Sequence, residues 1–579
     1  MKQVLPILLL IILWAFLHLF GIGWGVPNEH RILLVFGDRW NLEGFVPAML
    51  QTHEELREMQ TYYGQTYRSD YRYDEKLCIE AKSRSYKITR ELINSMRSYL
   101  IRSYGADEQA AIVSLSRMKP SHFQFNPHFF EYGGAYLYPM GFFFKICAVT
   151  GTAALKSDLS YYLLNPEKLG VLYVIGRFWG ACGALLAILV LYAICCRIMK
   201  NRGYAFLLSL CFGACPAIVI WSHFLKPFSY GLGFVMCALW AIVVYLENHR
   251  ARYIFLASFF AGLSFGTLLS YGYIFLAVIS AVLLHHQATA QKIRYLLYCF
   301  AIFLGTFFIT NPYVLISARE FFLELAYLHD YWKHGGGVAS LVFFTTHSIR
   351  LGMGEALWIL ALMGLITAML GISSGRLMYF AILIIPGFLY FGITTGKWVH
   401  YGLVLYPILF LIIACHFTEH VARKVALPIM IIAFMYTLFC SLCYLTLFNE
   451  YGGRKNVRDA AGEWINKNIP EGVSVGMLEA PSPWRTPPFE FFKYNVKILS
   501  NRDKLENEQP EYFVISQYQW GRGSSFAQIE QFLIDYTVLE DFAMLPVYPF
   551  YFRRDSRSGR LPYDWFHPNP EIVIWKRKN

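Results

Sequence analysis

Charged residues are scarce in this chain. Asp, Glu, Lys and Arg make up 16% of its 579 residues, whereas hydrophobic residues make up 56% and the mean hydropathy is +0.38. An ordinary soluble domain carries about 25% charged residues. The apolar residues come in blocks of about 20, the length at which a helix crosses a bilayer, and they do not alternate with polar ones. The composition therefore excludes an ordinary soluble protein and indicates an integral membrane protein.

Motifs for metals, nucleotides and disulfides are also missing. Of the 12 cysteines, only Cys78 lies outside an apolar block or its immediate flank, so no disulfide framework or zinc spacing is present. The sequence contains neither a Walker loop nor an Asp-any-Asp pair, so nothing indicates ATP or a metal-held nucleotide sugar. We expect no cofactor and no metal site.

The formal net charge is +12, but the basic residues are scattered between the apolar blocks. Nucleic-acid binding requires a continuous basic patch or stripe, which this distribution does not supply. An anionic lipid or a membrane surface is the expected partner, and nucleic acid is not.

Eleven apolar blocks are predicted to cross the membrane. The first, Val4 to Trp24, has a single Lys2 before it and no small-residue cleavage pattern after it, so it is interpreted as an uncleaved anchor with a cytoplasmic amino terminus. The other ten lie near residues 170–196, 204–222, 227–246, 253–269, 271–286, 293–312, 351–371, 377–394, 402–418 and 424–448.

The short loops between these blocks set the orientation. Basic residues flank the blocks on one side, which must be the cytoplasm by the positive-inside rule. A crossing at Ala135 to Gly151 would invert this pattern, so we expect an interfacial or re-entrant helix there. The basic residues on the cytoplasmic side are Arg197, Lys200, Arg202, Arg250, Arg252, Lys292, Arg294, Arg376, Arg423 and Lys424.

The fold class expected is a polytopic α-helical membrane protein with a large first extracytoplasmic loop and a small carboxy-terminal α/β soluble domain. The helical stretches of the first loop are expected along the membrane surface. In the terminal domain, the pattern predicts a helix at Asn456–Lys467 and strands at Val473–Met477, Tyr512–Ser516 and Ile572–Trp575. The domains are residues 1–24 (first span), 25–168 (extracytoplasmic loop), 169–448 (spans) and 449–579 (extracytoplasmic domain).

Short motifs in the first loop resemble a known superfamily. An Asp107-Glu108 pair opens a helix-like run, and the polar and aromatic segment Asn126–Gly134 follows about 20 residues later. Arg177 lies near the start of the next apolar block, residues 170–196. This order resembles the GT-C glycosyltransferases, such as the protein O-mannosyltransferases and the lipid A aminoarabinose transferases. The resemblance implies a multi-pass protein of a bacterial inner or cell membrane that uses a lipid-phosphate sugar donor.

The resemblance implies an inverting transfer from a polyprenyl phosphate to an acceptor hydroxyl at the extracytoplasmic face. Such a reaction needs a carboxylate to accept a proton and cations to stabilise the leaving phosphate. Asp107 is the expected base and Glu108 its orienting partner, with Glu29 and Asp38 as alternative carboxylates. The structural alternative for the pair is that two acids merely begin a solvated helix.

The expected substrate-binding residues include cations beside apolar blocks, where a charge is costly unless an anion accompanies it. Snorkelling to the interface explains Lys226 and Lys397 equally well. Where the family commonly has an acid in its second external turn, this chain has Ser222–Pro227, so the resemblance gives no support for a metal. The expected substrate-binding set is His128, Tyr132, Arg177, His223, Lys226, Lys397 and His400.

Two other functions remain open from the sequence, a transporter or flippase of lipid-linked sugars and a non-catalytic membrane scaffold. Transporters show related halves with paired interrupted helices, whereas this chain has one large first loop and no evident repeat. An enzyme is favoured. The partners expected are a polyprenyl-phosphate-linked sugar, membrane lipids and an acceptor that is a protein, a glycan or a lipid.

Overall fold

A computed structural model gives the fold. It describes residues 4–59, 72–82, 84–285, 288–332, 336–372, 374–395, 398–450, 455–500, 504, 507–520, 525–544, 562–566 and 568–578. The chain forms two compact units. We call Met1–Ile22, Ala111–Phe143 and Gly176–Leu445 the helical unit, and Gly23–Ala110, Phe144–Ile175 and Thr446–Asn579 the mixed unit.

The apolar blocks of the sequence form helices, and every predicted span coincides with at least one of them. Along the chain, the helices that lie wholly or partly in the helical unit are Val4–Leu19, Gln109–Arg117, Pro120–His122, Gly134–Val149, Pro166–Met199, Arg202–Gly213, Pro216–Ser222, Pro227–Asn248, Ala251–Thr267, Leu269–Ile274, Phe275–His285, Thr289–Thr310, Tyr313–Ile316, Ala318–Trp332, Gly337–Phe343, Phe344–Ile349, Arg350–Met353, Glu355–Met369, Gly375–Thr395, His400–Leu405, Tyr406–His420 and Arg423–Leu445.

Six described helices are long and apolar enough to cross a membrane, and the pair Arg202–Gly213 and Pro216–Ser222, bent by 55°, would make a seventh. Shorter apolar helices lie at Val4–Leu19, Gly134–Val149, Leu269–Leu284 and Glu355–Met369. These lengths indicate an integral membrane protein with several spans, while the number eleven stays a prediction. The helix Gly134–Val149 has 16 residues and contains Pro139, and whether it crosses also stays open.

The described strands of the mixed unit are β1 Lys76–Ala81, β2 Arg84–Thr89, β3 Ser474–Met477, β4 Asn495–Ile498, β5 Tyr512–Ser516, β6 Tyr536–Phe542 and β7 Ile572–Arg577. Five of them form one sheet in the order β4-β3-β5-β7-β6. Strand β3 runs parallel to β4 and β5, whereas β7 runs antiparallel to β5 and β6. A separate antiparallel hairpin pairs β1 with β2.

The helices of the mixed unit are His30–Phe36, Arg39–Met59, Arg90–Ile101, Leu159–Leu164, Thr446–Phe448, Val457–Asn468, Phe491–Lys493, Gln517–Trp520, Ser525–Phe532, Leu533–Asp535 and Tyr563–Phe566. The predicted terminal helix and the three predicted strands are therefore present, with ends that differ by at most two residues. Strands β4 and β6 were not predicted.

One hydrophobic core joins the first loop to the terminal region inside the mixed unit. Apolar faces of Arg39–Met59 and Arg90–Ile101 pack in the same cluster as Val457, Val475 and Ile572. Their apolar faces are buried in this core and are not available to a membrane, while the expectation that these two first-loop helices lie along the membrane surface stays a prediction. Burial removes them from water as well as a membrane surface would.

Arg31 shows how a buried charge is accommodated in this unit. It is 1% exposed, and its guanidinium donates hydrogen bonds to the carbonyl oxygens of Gly25, Tyr99 and Arg102. Two of these acceptors lie at the carboxyl end of Arg90–Ile101, where the helix dipole favours a positive charge. Arg31 thus stabilises the end of that helix.

Candidate active site

The turn between Pro216–Ser222 and Pro227–Asn248 places two sequence-nominated residues side by side. His223 ends the first helix, and Lys226 precedes Pro227 in an extended conformation. Proline at the first helical position has a backbone angle suited to starting a helix. Lys226 is only 7% exposed, so its ammonium is held close to apolar surroundings.

Arg177 and His223 both bind backbone oxygens just after the first helix of the chain. Arg177 Nη1 donates to the carbonyl oxygen of Ile22 at 2.8 Å. His223 places Nε2 2.8 Å from the carbonyl oxygen of Phe20 and Nδ1 2.7 Å from that of Val219. A carbonyl only accepts, so a neutral imidazole donates to one of these oxygens and a protonated one donates to both. The oxygens that Arg177 and His223 contact, those of Ile22 and Phe20, are two residues apart in the chain.

His400 joins Lys226 around one tryptophan. The ring centroid of Trp221 lies 4.2 Å from that of His400 and 5.4 Å from Lys226 Nζ. The His400 ring also contacts Phe228 at 4.5 Å and Tyr401 at 4.2 Å, and His400 is 4% exposed. An ammonium at this distance from an indole face is attracted by the ring. We call Arg177, His223, Lys226 and His400 the basic cluster.

Unsatisfied polar atoms lie near the start of the same helix, Pro227–Asn248. Ser229 Oγ and Trp179 Nε1 are buried and make no hydrogen bond with any described residue. The Trp179 ring stacks on Tyr230 at 5.4 Å. A buried donor without a partner is costly, and a bound polar ligand is one means of satisfying it. Sequence reasoning missed both residues, since neither stands out in an apolar block.

Tyr132 is connected to this region through aromatic rings. Its centroid lies 6.3 Å from that of Tyr136, which in turn lies 5.5 Å from Tyr230. Tyr132 is buried, and it packs edge-on against Phe129. The predicted binding residue Tyr132 therefore belongs to the same helical unit as the basic cluster.

The segment that contains His128 is held by two carboxylates of the helix Ala318–Trp332. His128 Nδ1 lies 3.1 Å from a carboxylate oxygen of Glu320. Glu324 accepts hydrogen bonds from the backbone N–H groups of Phe130 and Glu131 at 2.7 to 3.0 Å. The two acids are one helical turn apart, so both face this segment.

Glu324 is a buried acid that sequence reasoning missed. It is 4% exposed, and burial raises its pKa to about 7, opposed by the hydrogen bonds from Phe130 and Glu131, and by the charge of Arg117. The neighbouring charge of Glu131 also raises this pKa. The only signal in the sequence is a pair of acids four residues apart in a helix rich in aromatic residues.

Asp107 and Glu108 lie in the mixed unit, in different surroundings. Asp107 is exposed, has a φ of 62°, and immediately precedes Glu108 and the helix Gln109–Arg117. Glu108 is buried, and Ser103 Oγ donates a hydrogen bond to its carboxylate. The structure thus agrees with the prediction that this pair opens a helix, and it leaves the Asp107 carboxylate accessible to solvent.

The alternative carboxylates differ from each other. Glu29 is exposed at the start of the helix His30–Phe36. Asp38 accepts a hydrogen bond from the backbone N–H of Asn41 at 2.9 Å and pairs with Lys82. The hydrogen bond from Lys82 lowers the pKa of Asp38, and the bond from the Asn41 N–H caps the first turn of the helix Arg39–Met59.

The mixed unit also holds a charged cluster that the sequence did not indicate. Arg31 and Arg458 lie over the ring of Tyr104 at 4.0 and 4.9 Å, and Tyr104 donates a hydrogen bond to Asp459. Glu450 accepts from the backbone N–H of Gly25 at 3.0 Å, and burial raises its pKa to about 6. These groups were missed because they are distant in sequence and meet only after folding.

The predicted residues thus fall into two groups. His128, Tyr132 and the basic cluster lie in the helical unit, and the carboxylates Glu29, Asp107 and Glu108 lie in the mixed unit. Lys397 lies outside the described residues. Across the described part of the chain, no group of three or more His, Cys, Asp or Glu side chains is arranged to hold a metal ion.

Comparison by sequence finds no relative: no family model matches the chain, and no curated protein matches it. Comparison by structure finds ArnT from Cupriavidus metallidurans bound to undecaprenyl phosphate, at 12% identity with a TM-score of 0.44 over 99% of this chain and 98% of that one. The oligosaccharyltransferase AglB from Archaeoglobus fulgidus, in complex with an inhibitory peptide and a dolichol-phosphate, matches at 13% identity and 0.40 over 86% and 69%.

A third similar structure is the S. cerevisiae protein O-mannosyltransferase Pmt1-Pmt2 complex bound to the sugar donor, at 13% identity and a TM-score of 0.27 over 57% of this chain and 34% of that one. With TM-scores below 0.5, this likeness assigns neither a fold nor an activity, and a function has to be argued from the residues of this chain.

Proposed function

We propose that this chain is a GT-C-type glycosyltransferase that moves a sugar from a polyprenyl phosphate to an acceptor hydroxyl at the extracytoplasmic face of a membrane. The observation that carries the proposal is the basic cluster. It buries the Arg177 guanidinium within the helix Pro166–Met199, and an ammonium and two imidazoles beside the ends of other apolar helices. Cations in such surroundings favour an anion, and the phosphate of a membrane lipid supplies one at this depth.

The cluster suits the departure of a lipid phosphate. The acceptor oxygen bonds to the anomeric carbon of the sugar while the bond from that carbon to the phosphate oxygen breaks, and the electron pair stays on the phosphate. Arg177, Lys226 and His400 would stabilise this negative charge with donors that are already in place. Ser229 and Trp179 add buried hydrogen-bond donors for polar groups of the lipid-linked sugar.

The acceptor proton passes to a carboxylate, for which we propose Asp107. Asp107 is exposed, whereas the Glu108 carboxylate is buried and accepts a hydrogen bond from Ser103. Glu108 would then fix the geometry of the turn that carries Asp107. A single displacement of this kind inverts the configuration of the sugar.

The direct test incubates the purified protein with a panel of polyprenyl-phosphate sugars and measures released polyprenyl phosphate. Lys226→Gln should lower the release about 10- to 100-fold, since a hydrogen bond to a charged group contributes about 1.5–3 kcal/mol. Arg319→Gln is the matched control, because it removes a cation that is exposed. Movement of the intact donor across vesicles without release of polyprenyl phosphate would instead establish the transporter alternative.

A second measurement concerns metal ions. We expect transfer to survive EDTA, because the turn Ser222–Pro227 supplies His223 and Lys226 where related enzymes commonly have an acid. The measurement is turnover before and after chelation. Complete loss of turnover, restored by manganese or magnesium, would reject this expectation.

A further inference from the structure

A cavity of about 480 Å³ lies among the ends of helices in the helical unit, and none of the residues that line it belongs to the proposed site. The helices Pro166–Met199, Pro227–Asn248, Phe275–His285, Gly375–Thr395 and Tyr406–His420 each contribute to it or end beside it. Its lining combines apolar side chains with charged ones: Ile198, Leu246, Leu284, Lys200, Arg376 and Glu419.

Cations exceed available anions in this cavity. Glu419 is already engaged, because its carboxylate accepts hydrogen bonds from the backbone N–H of Ser374 at 2.8 Å and from the Ser374 hydroxyl. Arg376 reaches Glu247 only at 3.8 Å, and that acid also binds Arg197 at 2.8 Å. Lys200 forms no ion pair with any residue in the described ranges.

The apolar part of the lining continues onto the lipid-facing surface. Leu284 is 69% exposed on an apolar helix, where the surrounding medium is the bilayer. Lys200 directly follows the helix Pro166–Met199, and Arg376 lies in the first turn of the helix Gly375–Thr395. The charge pattern assigns both helix ends to the cytoplasmic side, the leaflet in which anionic lipids attract basic residues. A ligand that fits must therefore pair a negative headgroup with an apolar chain.

We propose that this cavity binds the headgroup of an anionic phospholipid, with Lys200 and Arg376 as the cations that bind its phosphate. The acyl chain would follow Leu246 and Leu284 into the bilayer. This site is separate from the basic cluster of the proposed function, and it does not depend on catalysis.

The test uses native mass spectrometry of the purified full-length protein titrated with phosphatidylglycerol or with phosphatidylcholine. Wild type should retain phosphatidylglycerol in preference to phosphatidylcholine. In the double variant Lys200→Gln/Arg376→Gln this preference should be lower by at least about tenfold. The matched control is Arg423→Gln/Lys424→Gln, which removes two exposed cations from the same predicted side and should bind as wild type does.

Because Arg376 contacts Glu247, the double variant can disturb folding. Lys200→Gln alone gives up no ion pair with the described residues, and it should still weaken phosphatidylglycerol retention with an unchanged unfolding temperature. Equal loss in both double variants, or equal retention in Lys200→Gln and wild type, would overturn the proposal. Full displacement of the lipid by millimolar inorganic phosphate would show a free-phosphate site and would overturn it as well.

Discussion

At the residue scale, Asp107 and Glu108 are chain neighbours that folding separates into an exposed and a buried carboxylate. Asp107 adopts a φ of 62°, a conformation in which Asp and Asn are both enriched. The substitution Asp107→Asn therefore preserves the backbone and side-chain size while removing the basicity of the carboxylate. It distinguishes a catalytic role from a purely structural one.

We predict that Asp107→Asn lowers turnover by about a hundredfold to ten-thousandfold, the usual contribution of a general base. The unfolding temperature should stay close to wild type. Turnover is measured as released polyprenyl phosphate. Glu29→Gln is the control, since it changes another exposed acid of the mixed unit. Near-normal turnover in Asp107→Asn together with loss in Glu29→Gln would place the base just after the first span.

Glu324 gives the second prediction at this scale. Its folded pKa is about 7, above the ordinary value of 4.5, so the folded protein keeps a proton that the unfolded chain releases. The contribution of Glu324 to the free energy of unfolding is fully present below pH about 4.5 and is lost as the pH rises through about 7. The full change is at most about 3 kcal/mol, at 1.36 kcal/mol per pKa unit.

Glu324→Gln removes this titration. From pH 5 to pH 7.5 the unfolding temperature of wild type should therefore fall relative to that of the variant. Thermal unfolding in detergent at several pH values measures it. Glu43→Gln, at an exposed acid, should keep the wild-type slope. A parallel pH dependence in wild type and Glu324→Gln would contradict the raised pKa.

At the scale of elements, the segment Asn126–Gly134 is fixed by close backbone packing. The Gly133 N–H donates to the carbonyl oxygen of Thr267 at 3.0 Å, and a Cβ on Gly133 would overlap the carbonyl oxygen of Gly266. The Gly134 N–H donates to Asn311 Oδ1 at 2.6 Å. The position of the segment that carries His128 and Tyr132 thus depends on Gly133, which packs against the end of the helix Ala251–Thr267.

We predict that Gly133→Ala strongly lowers the unfolding temperature or the yield of folded protein, because the backbone atoms it meets cannot move away cheaply. Gly305→Ala is the matched control. A Cβ there meets nothing within 4 Å, and alanine favours a helix over glycine by about 1 kcal/mol. Comparable unfolding temperatures for the two variants would show that the Gly133 contact is not tight.

At the scale of the whole molecule, the loop charges predict the side on which the mixed unit lies. We predict that a cysteine at Lys467, in a Cys78→Ser background, reacts with an impermeant maleimide only from the extracytoplasmic side. Lys467 is exposed at the end of the helix Val457–Asn468, and Cys78 is the one cysteine that the structure shows exposed. Labelling from the cytoplasm would reverse the orientation and the proposed location of the active site.

Much of the helical architecture was predictable, because the length of an apolar block and the charges at its ends are local properties. Blocks such as 227–246 and 424–448 became the helices Pro227–Asn248 and Arg423–Leu445. The same reasoning found the cations of the basic cluster, since a charge beside an apolar run is visible in the sequence. It could not show that Trp221 brings Lys226 and His400 together.

The sequence by itself determined the membrane location, the positions of the helices and the types of residue at their ends, all through local composition. Only the tertiary structure decided which of these residues meet. Phe130 and Glu324 are 194 residues apart, and the first loop shares one core with the strands near the carboxyl terminus. Such contacts depend on the complementarity of distant apolar faces and on buried hydrogen bonds, and no local pattern encodes either.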